Sequence, residues 1–368
     1  MDPTEKMLTE YDSNCPRYEQ FADYLEQLII QLTSTHGLKV QKVATRIKSR
    51  KSVEEKLCRP GKDYQALAEM TDIVGIRVIV YLERDVEKIA VLVRKEFSVD
   101  EARTNDKRFT SDPTRFGYQS LNLVIGLSTI RGQLTENAKY GGLVAELQIP
   151  TVLQHAWSEI EHDLGYKSAI SVPMTMLRQF AQLSALLEVA DNQFQRLTDN
   201  LATYARQARR RLVSGESVTL DAITLLSYLG NNETVEEIQR ALYGQVVSND
   251  EASKRSDWID IRLRALRDVE IKTTSELHSG LHRYKDAIIA LERFLIPDGR
   301  RHPDHSLRYL RTLAFVVAAL EMPNEVALLV VRRWTLGQMA NDGRFDVGTR
   351  NQLEDFRSVL QPFRLSRS

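Results

Sequence analysis

The stretch Leu143 to Tyr166, LVAELQIPTVLQHAWSEIEHDLGY, decides the fold, because it joins a strand pattern directly to a helix pattern. Apolar Leu143, Val144, Leu147 and Ile149 surround polar Glu146 and Gln148, whose spacing of two sends both polar side chains to one face of a sheet. Pro150 suits the first turn of the helix that follows, where a missing N–H is tolerated. From Thr151 onward Leu153, Trp157, Ile160 and Leu164 recur at helical spacing as the expected buried stripe. His155, Glu159 and His162 fall on the complementary face, either as a solvated polar surface or as part of a site. Their spacing lacks the dense ligand pattern of zinc-binding helices.

Working toward the N-terminus, the same alternation continues. Tyr18, Phe21, Tyr24, Leu25, Leu28 and Ile29 form one stripe of an opening helix over 17–34. A strand near 46, a helix opened by a Ser52/Glu55 capping box, a strand over 73–81, a helix over 85–96 and a strand over 119–127 are expected next. Mixed elements with short connections predict an α+β domain, a mixed sheet flanked by helices, over 1–168. Beyond it strand patterns vanish. A long helix carries Leu183, Leu186, Leu187, Ala190, Phe194, Leu197 and Leu201 on one stripe and ends in Arg206, Arg209, Arg210 and Arg211. Further helices are expected over about 218–229, 234–243, 252–270, 273–295, 305–320 and 323–339, so 169–368 reads as an all-α domain.

Composition narrows the function classes. The 368 residues suffice for two domains, and 50 basic residues balance 50 acidic ones, so whole-chain charge argues for neither nucleic acid nor a membrane. The two cysteines, Cys15 and Cys58, stand apart and predict neither a disulfide framework nor a cysteine-rich zinc site. No signal-peptide pattern and no apolar run near ~18 residues is found, so a cytoplasmic protein without a membrane partner is expected.

Local charge is more telling. Lys39, Lys42, Arg46, Lys48, Arg50, Lys51, Lys56, Arg59 and Lys62 cluster within 39–62 against Glu54 and Glu55, which marks an anion site or a solvated basic helix. Asp72 precedes an apolar strand and reads alone as a turn or cap residue, or as a ligand for Mg²⁺. In TRFGYQSLN, Gly117 permits close backbone approach and Tyr118 is either a core aromatic or a base platform.

Taken together, RIKSRKSVEEK at 46–56, DIVGIRVIVY at 72–81, DPTRFGYQSLNLV at 112–124 and ELQI with HAWSEIEHDLGYK at 146–167 resemble, in order and spacing, the synthetase domain of the RelA/SpoT family. The resemblance covers roughly residues 20–170. It implies a nucleotidyltransferase-like fold and a GTP/GDP pyrophosphokinase making (p)ppGpp from ATP and GDP or GTP, with Mg²⁺ as cofactor. It further implies that Arg46, Lys48, Ser52, Lys56 and Arg77 bind ATP. Asp72 is then a metal ligand, and Glu146 the second ligand or the general base on the acceptor 3′-hydroxyl. Lys107, Arg108, Arg115, Tyr118, Asn122, Gln148 and His155 take the acceptor side.

Two positions depart from the family pattern: Asn122 stands for its usual histidine and Pro150 for its usual arginine. They bear on the acceptor more than on ATP. A second reading therefore keeps the chemistry and takes the 3′ end of tRNA as acceptor, with the Arg206–Arg211 run on its backbone; the bland alternative lets that run compensate a helix dipole. A third reading is a non-catalytic nucleotide or alarmone sensor. The His162-Asp163 pair resembles the hydrolase half of long relatives, but no alarmone hydrolase is expected. A homo-oligomer is left open by the long apolar stripe.

Overall fold

The computed structural model describes residues 3–61, 64–106, 108, 120–166, 174–230, 232–246, 256–295, 307–335 and 347–363. Its internal contacts divide the chain into Met1–Asp199 and Asn200–Ser368.

The first unit opens on helix α1 (Pro3–Thr35), longer than the apolar stripe predicts because Met7, Leu8 and Tyr11 also bury and the helix runs through Pro16. Strand β1 (Val40–Ile47), helix α2 (Arg50–Leu57), strand β2 (Val74–Val80) and helix α3 (Glu83–Glu96) follow. Then come β3 (Phe97–Val99), β4 (Asn105–Asp106), β5 (Leu121–Leu127), the short α4 (Thr129–Gly132), β6 (Ala145–Ile149) and α5 (Val152–Tyr166). The sheet order is β1-β2-β6-β5-β3, with β4 also on β5. β2 and β6 run parallel; the other pairs are antiparallel. The mixed sheet expected from sequence is therefore present.

Period-two patterning gives that sheet two unlike faces. Val74, Ile76 and Val78 of β2, Leu147 and Ile149 of β6, and Leu121, Leu123 and Ile125 of β5 are buried in one core with Phe21, Leu25 and Ile29 of α1 and Val86, Ile89 and Val93 of α3. The opposite face presents Arg46, Gly75, Arg77, Asn122, Glu146 and Gln148. Register places Arg46 beside Gly75, Gly75 beside Glu146, and Arg77 beside Gln148, which is in turn beside Asn122.

Two local expectations are corrected. The cap of α2 is Ser49, whose Oγ accepts from the Ser52 N–H at 3.3 Å, so Ser52 lies inside the first turn and no Ser52/Glu55 box forms. Thr151, not Pro150, opens α5: its Oγ1 accepts from the Gln154 N–H while Gln154 Oε1 accepts from the Thr151 N–H, a reciprocal box. Pro150 sits before that cap, and its carbonyl accepts from the Val80 N–H at 3.0 Å. Nor is the α5 stripe deeply buried, since Ile160 is 55% exposed; α5 lies at the polar face of the sheet, where it meets charged partners.

Helix α6 (Met174–Val213) spans the point at which the contacts divide, and ends at Gly215, whose φ of +78° suits a glycine. In the second unit α7 (Ala222–Leu229), α8 (Glu233–Tyr243), α9 (Ser256–Asp268), α10 (Thr274–Leu295), α11 (Arg308–Glu321), α12 (Asn324–Thr335) and α13 (Val347–Leu360) follow. Helix α11 is buried on nearly every side from Tyr309 to Ala319, as a central helix must be, and the others pack around it. The helix over 347–360 had no counterpart in the sequence reading. No helix among the described residues is long and apolar enough to cross a membrane.

Candidate active site

The polar face of the sheet carries a cleft of about 260 Å³ lined by Arg46, Asp72, Gly75, Arg77, Glu146, Gln148 and Glu159, among others. Five of the residues singled out in the sequence thus meet in one place, from β1, the turn before β2, β2 itself and β6.

Backbone contacts set up the cationic side. The Lys48 N–H donates to the Ile73 carbonyl at 2.9 Å, and Tyr11 of α1 donates its hydroxyl to the Lys48 carbonyl at 2.6 Å. Lys48 is thereby fixed just beyond β1, and α2 brings Lys56 back from its last turn. Both ammonium groups lie 2.8 Å from Asp72 Oδ2. Burial pushes the Asp72 carboxyl up, but its hydrogen bonds to Lys48 and Lys56 outweigh that and hold it below the usual carboxylate range. Asp72 Oδ1 is buried with no hydrogen-bond partner, a lone-pair site in want of a cation. Gly75 makes room for Arg46: a Cβ there would meet Arg46 Cγ at 3.4 Å and Nε at 3.5 Å.

The anionic side is held by a chain of side-chain hydrogen bonds across the strands. Ser120 Oγ donates to Asn122 Oδ1, Asn122 Nδ2 donates to Glu146 Oε1 at 3.0 Å, and Gln148 Nε2 donates to the same oxygen at 2.9 Å. Arg77 Nε donates to Gln148 Oε1 at 3.2 Å, and its Nη1 bonds Glu159 and meets His155 Nδ1 at 3.3 Å. Arginine only donates, so His155 Nδ1 accepts and the ring is the neutral Nε2–H tautomer. Burial and the Arg77 charge both push the His155 imidazole down, which agrees. The Arg77 hydrogen bond holds the Glu159 carboxyl low.

Asn122, where the family pattern has histidine, is therefore a donor to Glu146. Ser52 lies outside the cleft lining, its Oγ 2.9 Å from Ser49 Oγ. Arg108 is engaged elsewhere: its Nη2 lies 2.6 Å from both Asp106 and Glu87, and its side chain is 6% exposed. Lys107, Arg115 and Tyr118 lie outside the described residues. Glu159, given no role in the sequence beyond sharing a face with His155 and His162, lines the cleft through its bond to Arg77. Gly75 was missed because nothing in DIVGIR shows that an arginine from a neighbouring strand crosses it.

Among the described residues no group of three or more His, Cys, Asp or Glu gathers as a metal cage. Two carboxylates, one with an orphaned buried oxygen, suit Mg²⁺, which prefers few protein ligands and completes its shell with waters and phosphates.

A family profile described as a region found in RelA / SpoT proteins matches residues 45–171, the span that holds this cleft. The chain is similar to GTP pyrophosphokinase YwaC of Bacillus subtilis, at 23% identity over 199 residues covering 52% of this chain and 91% of that protein. It is also similar to GTP pyrophosphokinase YjbM of Bacillus subtilis, at 29% identity over 138 residues covering 36% of this chain and 60% of that protein. Small alarmone synthetase 1 of Bacillus subtilis, solved bound to its product pppGpp, aligns at a TM-score of 0.46 and 21% identity over 53% of this chain and 99% of that one. Residues 45–171 of the chain therefore carry the region found in RelA / SpoT proteins.

Proposed function

We propose that the protein is an ATP:nucleotide 3′-pyrophosphotransferase that moves the β,γ-pyrophosphoryl group of ATP to the ribose 3′-hydroxyl of GDP or GTP, giving AMP and (p)ppGpp. The observation that carries this reading is that Asp72 and Glu146 line one cleft with Arg46 and Arg77, while Lys48 and Lys56 are paired to its Asp72. The names of the two curated relatives support the same activity.

In this reading the acceptor 3′-oxygen attacks the β-phosphorus of ATP. The bond from that phosphorus to the α,β-bridging oxygen breaks, AMP leaves with the bridging oxygen, and the hydroxyl proton passes to the Glu146 carboxylate. Asn122 and Gln148 fix that carboxylate through Oε1 and keep it aimed. Arg46 and Arg77 present guanidinium planes beside the adenine, while Lys48, Lys56 and the N-terminal turn of α2 with Ser52 meet the triphosphate. Asp72 and Glu146 would hold Mg²⁺, which when bound supplies charge neutralisation on the phosphates and a fixed position for them. The acceptor side falls to Tyr118, Lys107 and Arg115, with His155 and Gln148 placed by Arg77.

The test is incubation of the purified chain with ATP labelled in its γ-phosphate and either GDP, GTP or deacylated tRNA, followed by separation of products. Label in a guanosine 3′-pyrophosphate together with unlabelled AMP is expected. Label only on tRNA would move the acceptor, and no transfer to any of the three would end the proposal.

A further inference from the structure

The second unit holds a cavity of about 320 Å³, larger than the cleft on the sheet and lined entirely by residues of Asn200–Ser368. The end of α6 and the turn after it, α7, the cap of α8 and the start of α10 form its walls. Leu212 and Tyr228 make one side apolar, and both pack into the helical core, so this wall is part of the fold. At the low end of the ~300–1,000 Å³ range of small-molecule sites, the space suits a compact ligand of about one ring and one charged group.

The polar part of the lining consists of donors in want of acceptors. Arg209, Ser217 and Ser275 face the same space, and among the described residues none of their side chains has a hydrogen-bond or ion-pair partner. His278 adds a fourth donor. Asn232 Nδ2 donates to the Tyr228 hydroxyl at 2.9 Å, and that hydroxyl lies 3.1 Å from His278 Nδ1. Burial pushes the Tyr228 phenol far up, so it keeps its proton, and His278 Nδ1 is the acceptor within its reach. With Nδ1 accepting, the ring proton sits on Nε2, which also lacks a partner among the described residues. The acid in the lining, Glu216, is already engaged by Arg211 at 2.9 Å and by Ser214 Oγ at 3.1 Å.

We infer that this cavity binds a small phosphate monoester, with the phosphate held by Arg209, Ser217, Ser275 and His278 and the organic body laid against Leu212 and Tyr228. A guanidinium meets two phosphate oxygens at once, and a phosphate monoester has three terminal oxygens to share among these donors, where a carboxylate has two. The apolar wall favours an ester over the free ion, because inorganic phosphate has nothing to lay against it. None of these residues lines the cleft on the sheet, and the region matched by the family profile ends at residue 171, well before them.

The probe is phenyl phosphate, titrated into the full chain with its histidine rings isotope-labelled for NMR; the His278 resonance is the one that His278→Gln removes. A saturable shift of that resonance is expected, with inorganic phosphate and benzoate each weaker by about tenfold or more. Arg209→Gln changes an exposed position and should weaken phenyl phosphate by about tenfold or more with unchanged circular dichroism. Lys48→Gln, which removes a partner of Asp72 in the cleft on the sheet, should leave the titration as it is. Absence of a saturable shift, an affinity unmoved by Arg209→Gln, loss of the shift in Lys48→Gln, or inorganic phosphate or benzoate binding as tightly as phenyl phosphate would each overturn the inference.

Discussion

Replacing Glu146 by Gln separates the charge of this carboxylate from its shape. Its Oε1 accepts from Asn122 at 3.0 Å and from Gln148 at 2.9 Å, and a glutamine carbonyl can accept both. Each bond loses its charge assistance, about 1 kcal/mol. The group is partly exposed, so folding stability should fall by no more than ~2 kcal/mol. Turnover should fall far more, by ~10²–10⁴ if the carboxylate takes the proton, which is about 3–5 kcal/mol of barrier. The assay is the initial rate of labelled product formation at saturating ATP and GDP, with the melting temperature and ATP affinity measured on the same sample. Raising Mg²⁺ separates the two roles: recovery of the rate would assign Glu146 to the metal alone, and no recovery assigns it the proton. A well-folded Glu146→Gln variant turning over within threefold of wild type would refute the reasoning and remove this carboxylate from the chemistry.

Other substitutions address the remaining groups. Asp72→Asn should cut transfer sharply at a fixed Mg²⁺ concentration and move the residual rate to higher Mg²⁺, read as rate against metal concentration. Because the folded Asp72 carboxyl lies below its usual value, its pairing stabilises the fold above about pH 4, the range of an unperturbed carboxylate, and is lost as pH falls through the depressed value; acid unfolding of the Asn variant should therefore be less steep below pH ~4. Gly75→Val should displace Arg46, which lies 3.4 Å from where the first added carbon would sit, and raise KM for ATP several-fold with little change in melting temperature. Tyr118→Ala should weaken acceptor binding by ~1–3 kcal/mol and leave ATP binding unchanged, measured by titration with each nucleotide.

The sheet and its polar face were legible because burial writes itself into a period of two: Glu146 and Gln148 between Leu147 and Ile149 leave no other assignment. Local chemistry was harder to read. Ser49 and Ser52 are equally good caps by type, and only the backbone decides that the first precedes the helix. Arg108 looks like any exposed cation until the fold supplies Asp106 and Glu87. Helix α6 was legible as a helix but not in its packing: an apolar stripe shows which side of a helix seeks cover, not which side the fold buries. In the described residues Ser184 and Asp191 are buried instead, and Asp191 is held by Thr151.

Charge balance links the cleft to its substrates. Arg46, Lys48, Lys56 and Arg77 bring four positive charges to the site, and Asp72, Glu146 and Glu159 return three negative ones, so the cleft is nearly neutral as it stands. A nucleoside triphosphate beside a second nucleotide carries far more negative charge than this small excess can offset. Lys48 and Lys56 can turn to phosphate only if Asp72 receives another cation in their place, since a buried carboxylate stripped of its partners is strongly disfavoured. A divalent cation entering with the nucleotide meets that need, and the orphaned Asp72 Oδ1 is already there to receive it. On this argument ATP and Mg²⁺ bind as one, and in the absence of metal Asp72 competes with the triphosphate for its lysines. ATP affinity measured without Mg²⁺ should then be stronger in Asp72→Asn than in the wild type, the reverse of the order expected with the metal present; a loss of affinity in both conditions would mean that Asp72 positions the lysines rather than competing for them.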